Sequence, residues 1–293
     1  MGEARAIPSS SPPATLIERP ERSNDDRAGG GGNAWAPWLR WLAVIVWALG
    51  MLALARSLSP SLDVEPRLAF LSGFAAVALS AVLTAAACPP IQPRALIGLA
   101  FPAAALLALA FRPAPDLTGA LIVTAALLAA ASLVGGAVGR AIEHPGQLVF
   151  VAVVSAAADA ASVFHPSGPS AAMAQSKAAL SLVALPWPML GTPAIEPLLG
   201  VGDVVFTALY LASARRHGLP WRRTMVALLL AYGVTAALVL VLETAVPALP
   251  LLGLAVVLAH PEARRPRVAD RQRGVALSIA AVLGVAALLV FGR

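Results

Sequence analysis

The chain has 293 residues, of which 59% are hydrophobic and 12% are charged, where soluble globular chains have about 25% charged residues. This composition excludes an ordinary soluble enzyme, a secreted scaffold and a DNA-binding domain. The net charge of +6 is typical of a membrane protein with basic cytoplasmic loops, so we expect no nucleic-acid partner. Cys88 is the only cysteine, which excludes an intrachain disulfide and argues against a cysteine metal site.

The N-terminal 36 residues differ from the rest of the chain. Residues 1–36 are rich in Pro, Ser, Gly and mixed charge, and such a stretch buries too little apolar surface to fold. We therefore expect a disordered tail at 1–36 and a transmembrane domain at 37–293. The domain starts among Trp35, Trp38 and Trp41, and tryptophans are typical of a membrane interface.

Apolar segments then recur along the chain, separated by prolines that end helices. The length and composition of these segments predict an all-α, polytopic membrane protein with about nine transmembrane helices. The predicted segments are 38–57, 68–88, 95–111, 117–139, 147–164, 198–214, 224–243, 248–260 and 274–291. Close helix packing is one interpretation of Gly135, Gly136 and Gly139, and an Ala/Gly-rich composition is the other.

The basic residues predict the orientation of these helices. With the N-terminus in the cytoplasm, 16 basic residues fall inside and 5 outside, and the loops 215–223 and 261–273 carry most of the difference. The bias of Arg over Lys and the short loops suggest a prokaryotic cytoplasmic membrane.

Two acids lie inside apolar segments, Asp159 and Asp203. A carboxylate inside a membrane costs several kcal/mol and indicates function by default. Asp159 lies five residues before the end of the fifth segment, and Asp203 lies five residues after the start of the sixth. Both are therefore about 8 Å below the same face, and carboxylates at one depth on consecutive helices can meet.

A close pair of carboxylates shares one proton, since two like charges do not both ionise cheaply. One carboxyl group can then act as general base on a water while the other protonates the carbonyl oxygen of a peptide bond. The pair titrates as a unit, so the two roles are not assigned to individual residues. This chemistry needs no metal and no cofactor.

Two further motifs accompany the acids. The run Gly200-Val201-Gly202-Asp203 places glycines just before the second acid, where they let another backbone approach. The run Pro247-Ala248-Leu249-Pro250 withholds N–H groups at a helix start and leaves irregular backbone, which membranes tolerate only beside protein or a water-filled cavity.

In this order the motifs resemble those of presenilins and signal peptide peptidases, the intramembrane aspartyl proteases. The resemblance covers about residues 147–260, the predicted catalytic core, and includes Pro166, Gly168 and Pro169 after the first acid. It implies a presenilin-like fold with Asp159 and Asp203 as catalytic pair. It also implies that Gly200, Gly202, Pro247, Ala248, Leu249 and Pro250 shape the active site and help to receive substrate.

The implied activity is hydrolysis of peptide bonds within the transmembrane segments of other membrane proteins. Both acids are in one chain, so we expect activity alone or as a homo-oligomer in the bilayer. The chain departs from the family pattern at Ala158, where the family has Tyr before the first acid. Four helices precede the first acid rather than five, one helix follows the Pro-Ala-Leu-Pro helix, and the orientation is that of signal peptide peptidases.

Three other interpretations remain open. A type IV prepilin peptidase also uses a Gly-x-Gly-Asp acid, but usually carries a Lys soon after it, whereas this chain has Val204-Val205-Phe206. A proton-coupled transporter would use Asp159 and Asp203 as a relay. The third is a protease-like protein without activity, which Ala158 alone suggests.

Overall fold

The computed structural model describes residues 35–90, 116–165, 168, 180 and 183–291, and this part of the chain is mostly helical. It contains eight α-helices and a two-stranded sheet. The helices are α1 (Ala36–Leu58), α2 (Pro66–Ala87), α3 (Leu117–Ala141), α4 (Leu148–Phe164), α5 (Val201–Arg216), α6 (Trp221–Leu242), α7 (Leu249–Ala259) and α8 (Val268–Phe291), and the strands are β1 (Ala184–Pro188) and β2 (Ile195–Gly200).

Five helical stretches are long and apolar enough to cross a membrane by length and composition: Ala36–Ser61, Pro66–Ala87, Leu117–Ala141, Pro145–Phe164 and Trp221–Leu242. The chain therefore has the helices of a membrane protein, while nine spans remain a prediction. Eight of the nine predicted segments fall on helices in the described residues. The ninth, 95–111, lies outside them, as do residues 1–34 of the predicted tail.

The closest helix pair is α3 with α5, and glycines bring these two helices together. A Cβ atom on Gly135 would lie 2.0 Å from the backbone oxygen of Val205, and one on Gly139 would lie 2.2 Å from that of Leu209. The contact partner moves from Val205 to Leu209 as α3 advances from Gly135 to Gly139, so α3 and α5 run parallel. Close packing is thus the correct interpretation of Gly135 and Gly139, because any side chain there would collide with the α5 backbone.

The other helices surround this pair. α2 contacts α1, α5 and α6, while α4 packs mainly on α7 and α8, and α7 also contacts α6 and α5. The buried centre contains large side chains from several helices, among them Leu128, Tyr210, Tyr232 and Leu252, each less than 2% exposed. The helix α7 thereby links the helix of Asp159 to the helices around Asp203.

The two-stranded sheet corrects the all-α prediction. β1 and β2 pair antiparallel, with Leu185 opposite Leu199 and Ala184 opposite Gly200. Residues 198–200, predicted as the start of the sixth helix, therefore belong to β2, and α5 begins at Val201. The physical reason is that backbone pairing with β1 satisfies the polar groups of this apolar run without a helix.

The hairpin is fixed to the helices on the side of β1. The Ser59 hydroxyl, fully buried after α1, lies within hydrogen-bond distance of the backbone oxygens of Met189 (2.6 Å) and Thr192 in the hairpin turn, which share its single proton. Thr124 of α3 donates to the oxygen of Pro186 at 3.4 Å. β1 contacts α1, α2 and α3 and is mostly buried, while β2 contacts α2 and α5 and is mostly half-buried or exposed. Among the residues that the structure describes, no third strand pairs with β2, so its outer edge is the one we consider for another chain.

Candidate active site

Asp159 lies in the last turns of α4 and bonds to the start of α7. One carboxylate oxygen, Oδ2, accepts a hydrogen bond from the backbone N–H of Leu249 at 3.0 Å, and the backbone of Ala248 lies next to the same carboxyl group. The first N–H groups of a helix have no partner within the helix. The carboxyl group of Asp159 therefore caps α7 from another helix, and the positive end of the α7 dipole favours its negative charge.

Asp203 lies in the first turn of α5, directly after β2. Its carboxyl group lies beside the backbone of Gly200, where Oδ2 is 3.3 Å from the position that a Cβ atom would take, and both acids are half-buried. Gly200 is the last residue of β2 and the N-cap of α5. The strand end and the first turn of the helix thus fix the carboxyl group together.

The two acids lie near each other, although α4 and α5 are not a major helix contact. The charge of Asp159 acts on Asp203, and the start of α7 supplies the donor to Asp159. At Gly253 a Cβ atom would lie 2.8 Å from that of Ala152 in α4 and 3.1 Å from the Tyr210 hydroxyl of α5. Gly253 therefore lets both acid-bearing helices, α4 and α5, approach α7 closely.

The predicted glycines around Asp203 differ in their surroundings. A Cβ atom on Gly200 would lie 3.3 Å from Oδ2 of Asp203, while one on Gly202 would meet no atom within 4 Å. Gly202 is exposed. Gly200 thus leaves room for the carboxyl group, and Gly202 leaves open space beside the start of α5.

The Pro-Ala-Leu-Pro run is the irregular entry to α7. Residues 244–248 are not helical, α7 begins at Leu249, and Pro250 occupies its first turn. Ala248 and Leu249 are buried, and Pro247 and Pro250 are half-buried. Since Pro247 and Pro250 have no N–H, the run keeps only the N–H groups of Ala248 and Leu249, and that of Leu249 bonds to Asp159.

Two tyrosines near the acids were not predicted from the sequence. The Tyr232 hydroxyl of α6 donates to the backbone oxygen of Asp203 at 3.2 Å and lies 2.7 Å from the hydroxyl oxygen of Thr207. The Tyr210 hydroxyl, two turns beyond Asp203, lies beside Ser155 without a hydrogen bond of good geometry. The chain has only two tyrosines, and both lie in apolar segments. This rarity is the sequence feature that could have marked them as candidate site residues.

All four histidines lie in loops or at the ends of apolar segments in the sequence, which predicts residues of the membrane interface and not a ligand set. Within the described ranges no group of three His, Cys, Asp or Glu residues is placed to hold a metal ion. His260 is buried within the protein, with its Nε2 atom 2.8 Å from Thr224 Oγ1. His260 directly follows the last residue of α7 and is enclosed by the surrounding protein.

The arrangement brings together the three parts that the sequence singled out: Asp159, the Gly-x-Gly-Asp turn and the Pro-Ala-Leu-Pro entry. Two carboxyl groups beside irregular backbone are suited to general acid–base work on one substrate bond. No protein-family model, curated protein or solved structure matches this chain.

Proposed function

We propose that the protein is an intramembrane aspartyl endopeptidase of the presenilin and signal peptide peptidase type. The observation that carries the proposal is the hydrogen bond from Leu249 N–H to Asp159 Oδ2 at 3.0 Å. It joins the first acid to the Pro-Ala-Leu-Pro run, while the charge of the same acid acts on Asp203. The first acid and the Pro-Ala-Leu-Pro run, about 90 residues apart in the sequence, are therefore in contact, and this contact supports the proposal.

The proposed reaction is direct hydrolysis of a peptide bond by a water molecule. One carboxylate removes a proton from water, the resulting hydroxyl attacks the carbonyl carbon, and the other carboxyl group protonates the carbonyl oxygen. In the breakdown of the tetrahedral species the C–N bond breaks, the first carboxyl group gives its proton to the leaving amine, and the second carboxylate takes a proton back from a hydroxyl of the gem-diol as the new carboxyl group forms. The backbone N–H of Leu249 orients the carboxyl group of Asp159, and the position of Asp203 in the first turn of α5 holds the second carboxyl group beside Gly200, so both acids need little rearrangement.

The substrate class is a transmembrane helix that unwinds locally. Its backbone polar groups need partners within the membrane, and the unpaired edge of β2 leads directly to Gly200 and Asp203. An extended substrate segment would add to this edge as a third strand. The open space at Gly202 lies beside this path.

The test is cleavage of a labelled transmembrane peptide by the purified full-length protein in detergent and in liposomes. We expect product from the wild type and from Asp63→Asn, an exposed aspartate that serves as control, but none from Asp159→Asn or Asp203→Asn. Equal cleavage by all four proteins would sink the proposal. Proton-dependent uptake lost in both Asn variants, without cleavage, would establish the transporter instead.

A further inference from the structure

Three arginines from three helices gather at one end of the helix bundle. Arg140 lies at the end of α3 and Arg215 at the end of α5, and a hydrogen bond of 3.1 Å joins His217 Nε2 to the backbone oxygen of Ile142. Arg140 lies two residues before Ile142, and Arg215 lies two residues before His217. The parallel helices α3 and α5 therefore end level, and their arginines lie together.

Arg40 of α1 joins them from the third side. Its neighbour Trp41 packs in a buried cluster with Cys88 and Leu133, which brings the first turns of α1 against the same end of α3. The charges of Arg40 and Arg140 both act on Arg215. We call Arg40, Arg140 and Arg215 the arginine cluster.

No acid neutralises the arginine cluster in the part of the chain that the structure describes. The salt bridge seen there joins Arg67 to Glu243 at 3.8 Å, outside the cluster. Glu143 lies only three residues after Arg140 but is exposed and forms no ion pair with it. Three cations held together without a carboxylate repel one another, so an external anion would stabilise the arrangement.

The surroundings of the arginine cluster combine aromatic and apolar surface. The Arg215 guanidinium lies 4.8 Å from the centre of the Trp221 ring, and Trp38 packs edge-on against Trp41 beside Arg40. Leu39 and Leu42 of α1 are 58% and 49% exposed. Tryptophan rings and arginines at a helix end are typical of the headgroup layer, and exposed leucines beside them offer contact to acyl chains.

We propose that the arginine cluster binds the phosphate group of an anionic phospholipid. Guanidinium groups match phosphate oxygens with paired hydrogen bonds, and three of them from α1, α3 and α5 would surround one headgroup. The exposed leucines of α1 favour a lipid over a soluble phosphate, because only a lipid also covers them. The inference does not depend on the proposed protease activity.

The test is lipid retention by the purified full-length protein, measured by native mass spectrometry after addition of phosphatidylglycerol or phosphatidylcholine. We expect the wild type to retain phosphatidylglycerol preferentially, and Arg40→Gln/Arg140→Gln/Arg215→Gln to lose this preference. Affinity should fall about fivefold for each arginine removed. The matched control removes three exposed arginines near the same end of the helix bundle, Arg265→Gln/Arg267→Gln/Arg271→Gln, and should keep the preference.

Several results would overturn the proposal. One is equal retention of the two lipids by the wild type, and another is an equal loss of the phosphatidylglycerol preference in the control triple variant. A third is displacement of the bound lipid by glycerol phosphate, which would identify a soluble phosphate as the ligand. If the triple cluster variant does not fold, the single variant Arg40→Gln decides, since Arg40 is exposed. It should lose about fivefold in affinity, and unchanged retention would contradict the assignment.

Discussion

Asp159 could be chosen from the sequence as one of two acids inside apolar segments, but its backbone hydrogen-bond donor could not. A carboxyl group in a helix gives no local signal of which backbone it bonds, because the donor at Leu249 lies 90 residues away. The prolines at 247 and 250 predicted irregular backbone at that point, as the structure has it. The hydrogen bond from the Leu249 N–H to Asp159 depends on the packing of α7 on α4, which the local sequence does not show.

The hydroxyl of Tyr232 is expected to stabilise the first turn of α5, where Asp203 lies. Tyr232→Phe removes a buried hydrogen bond to the Asp203 backbone oxygen and should lower the free energy of unfolding by about 1 kcal/mol. The matched control is Tyr210→Phe. It removes a buried hydroxyl without a good partner and should be neutral or slightly stabilising.

Unfolding of both variants in mixed detergent, followed by circular dichroism, measures this difference. A larger loss for Tyr210→Phe than for Tyr232→Phe would contradict the hydrogen-bond assignment.

At the scale of elements, the sequence predicted the helices well and the hairpin not at all. Helices follow from local length and apolarity. The predicted segment 117–139 begins with α3 and ends two residues before it does, and the predicted segment 224–243 begins three residues after α6 does and ends one residue beyond it. The run 195–200 is short and apolar, and periodicity does not separate a buried strand from a helix start at that length. Its structure depends on pairing with β1, which no local pattern shows.

The glycines of α3 are expected to be required for packing on α5. Gly139→Ala would place a Cβ atom 2.2 Å from the Leu209 oxygen, so the helices must separate at a cost of about 1–3 kcal/mol or more. Gly233→Ala in α6 is the control, because its Cβ atom meets nothing within 4 Å and alanine favours a helix.

Thermal unfolding should show a clear loss of stability for Gly139→Ala and a neutral or raised midpoint for Gly233→Ala. Equal midpoints for the two variants would contradict the close approach of α3 and α5.

The junction of α6 and α7 is expected to weaken in acid through His260. Burial lowers the pKa of His260, the positive charge of Arg223 lowers it further, and Glu262 raises it. The unfolded chain then binds a proton first as the pH falls below about 6.5, so this contribution to stability is lost on acidification, by at most about 1.4 kcal/mol per pH unit.

His260→Gln removes this titration while keeping a polar partner for Thr224. Its unfolding midpoint should therefore depend less on pH between 7 and 5 than that of the wild type. Parallel pH profiles for the two proteins would refute the role of His260.

At the scale of the whole molecule, the arginine pattern predicts the orientation. The hairpin turn should face outward and the connection between α7 and α8 should face the cytoplasm. Thr192→Cys and Arg265→Cys, both exposed, place a thiol in each. Native Cys88 is buried, and burial raises the pKa of its thiol to about 11, so it should not react near neutral pH.

A membrane-impermeant maleimide added to intact cells should label Thr192→Cys directly and Arg265→Cys only after permeabilisation. The opposite labelling would reverse the orientation. The helix count depends on the segment 95–111, whereas the contacts among Asp159, Asp203 and Leu249 do not.

The central claim is that Asp159 and Asp203 act as one catalytic unit, and the kinetics of their single and double variants test it most directly. Residues that act as a unit are not additive. We therefore expect Asp159→Asn and Asp203→Asn each to lower kcat/KM for a transmembrane peptide at least about 10³-fold, and the double variant to lower it no further. A single variant that retains most of the wild-type rate, or losses that multiply in the double variant, would contradict the account.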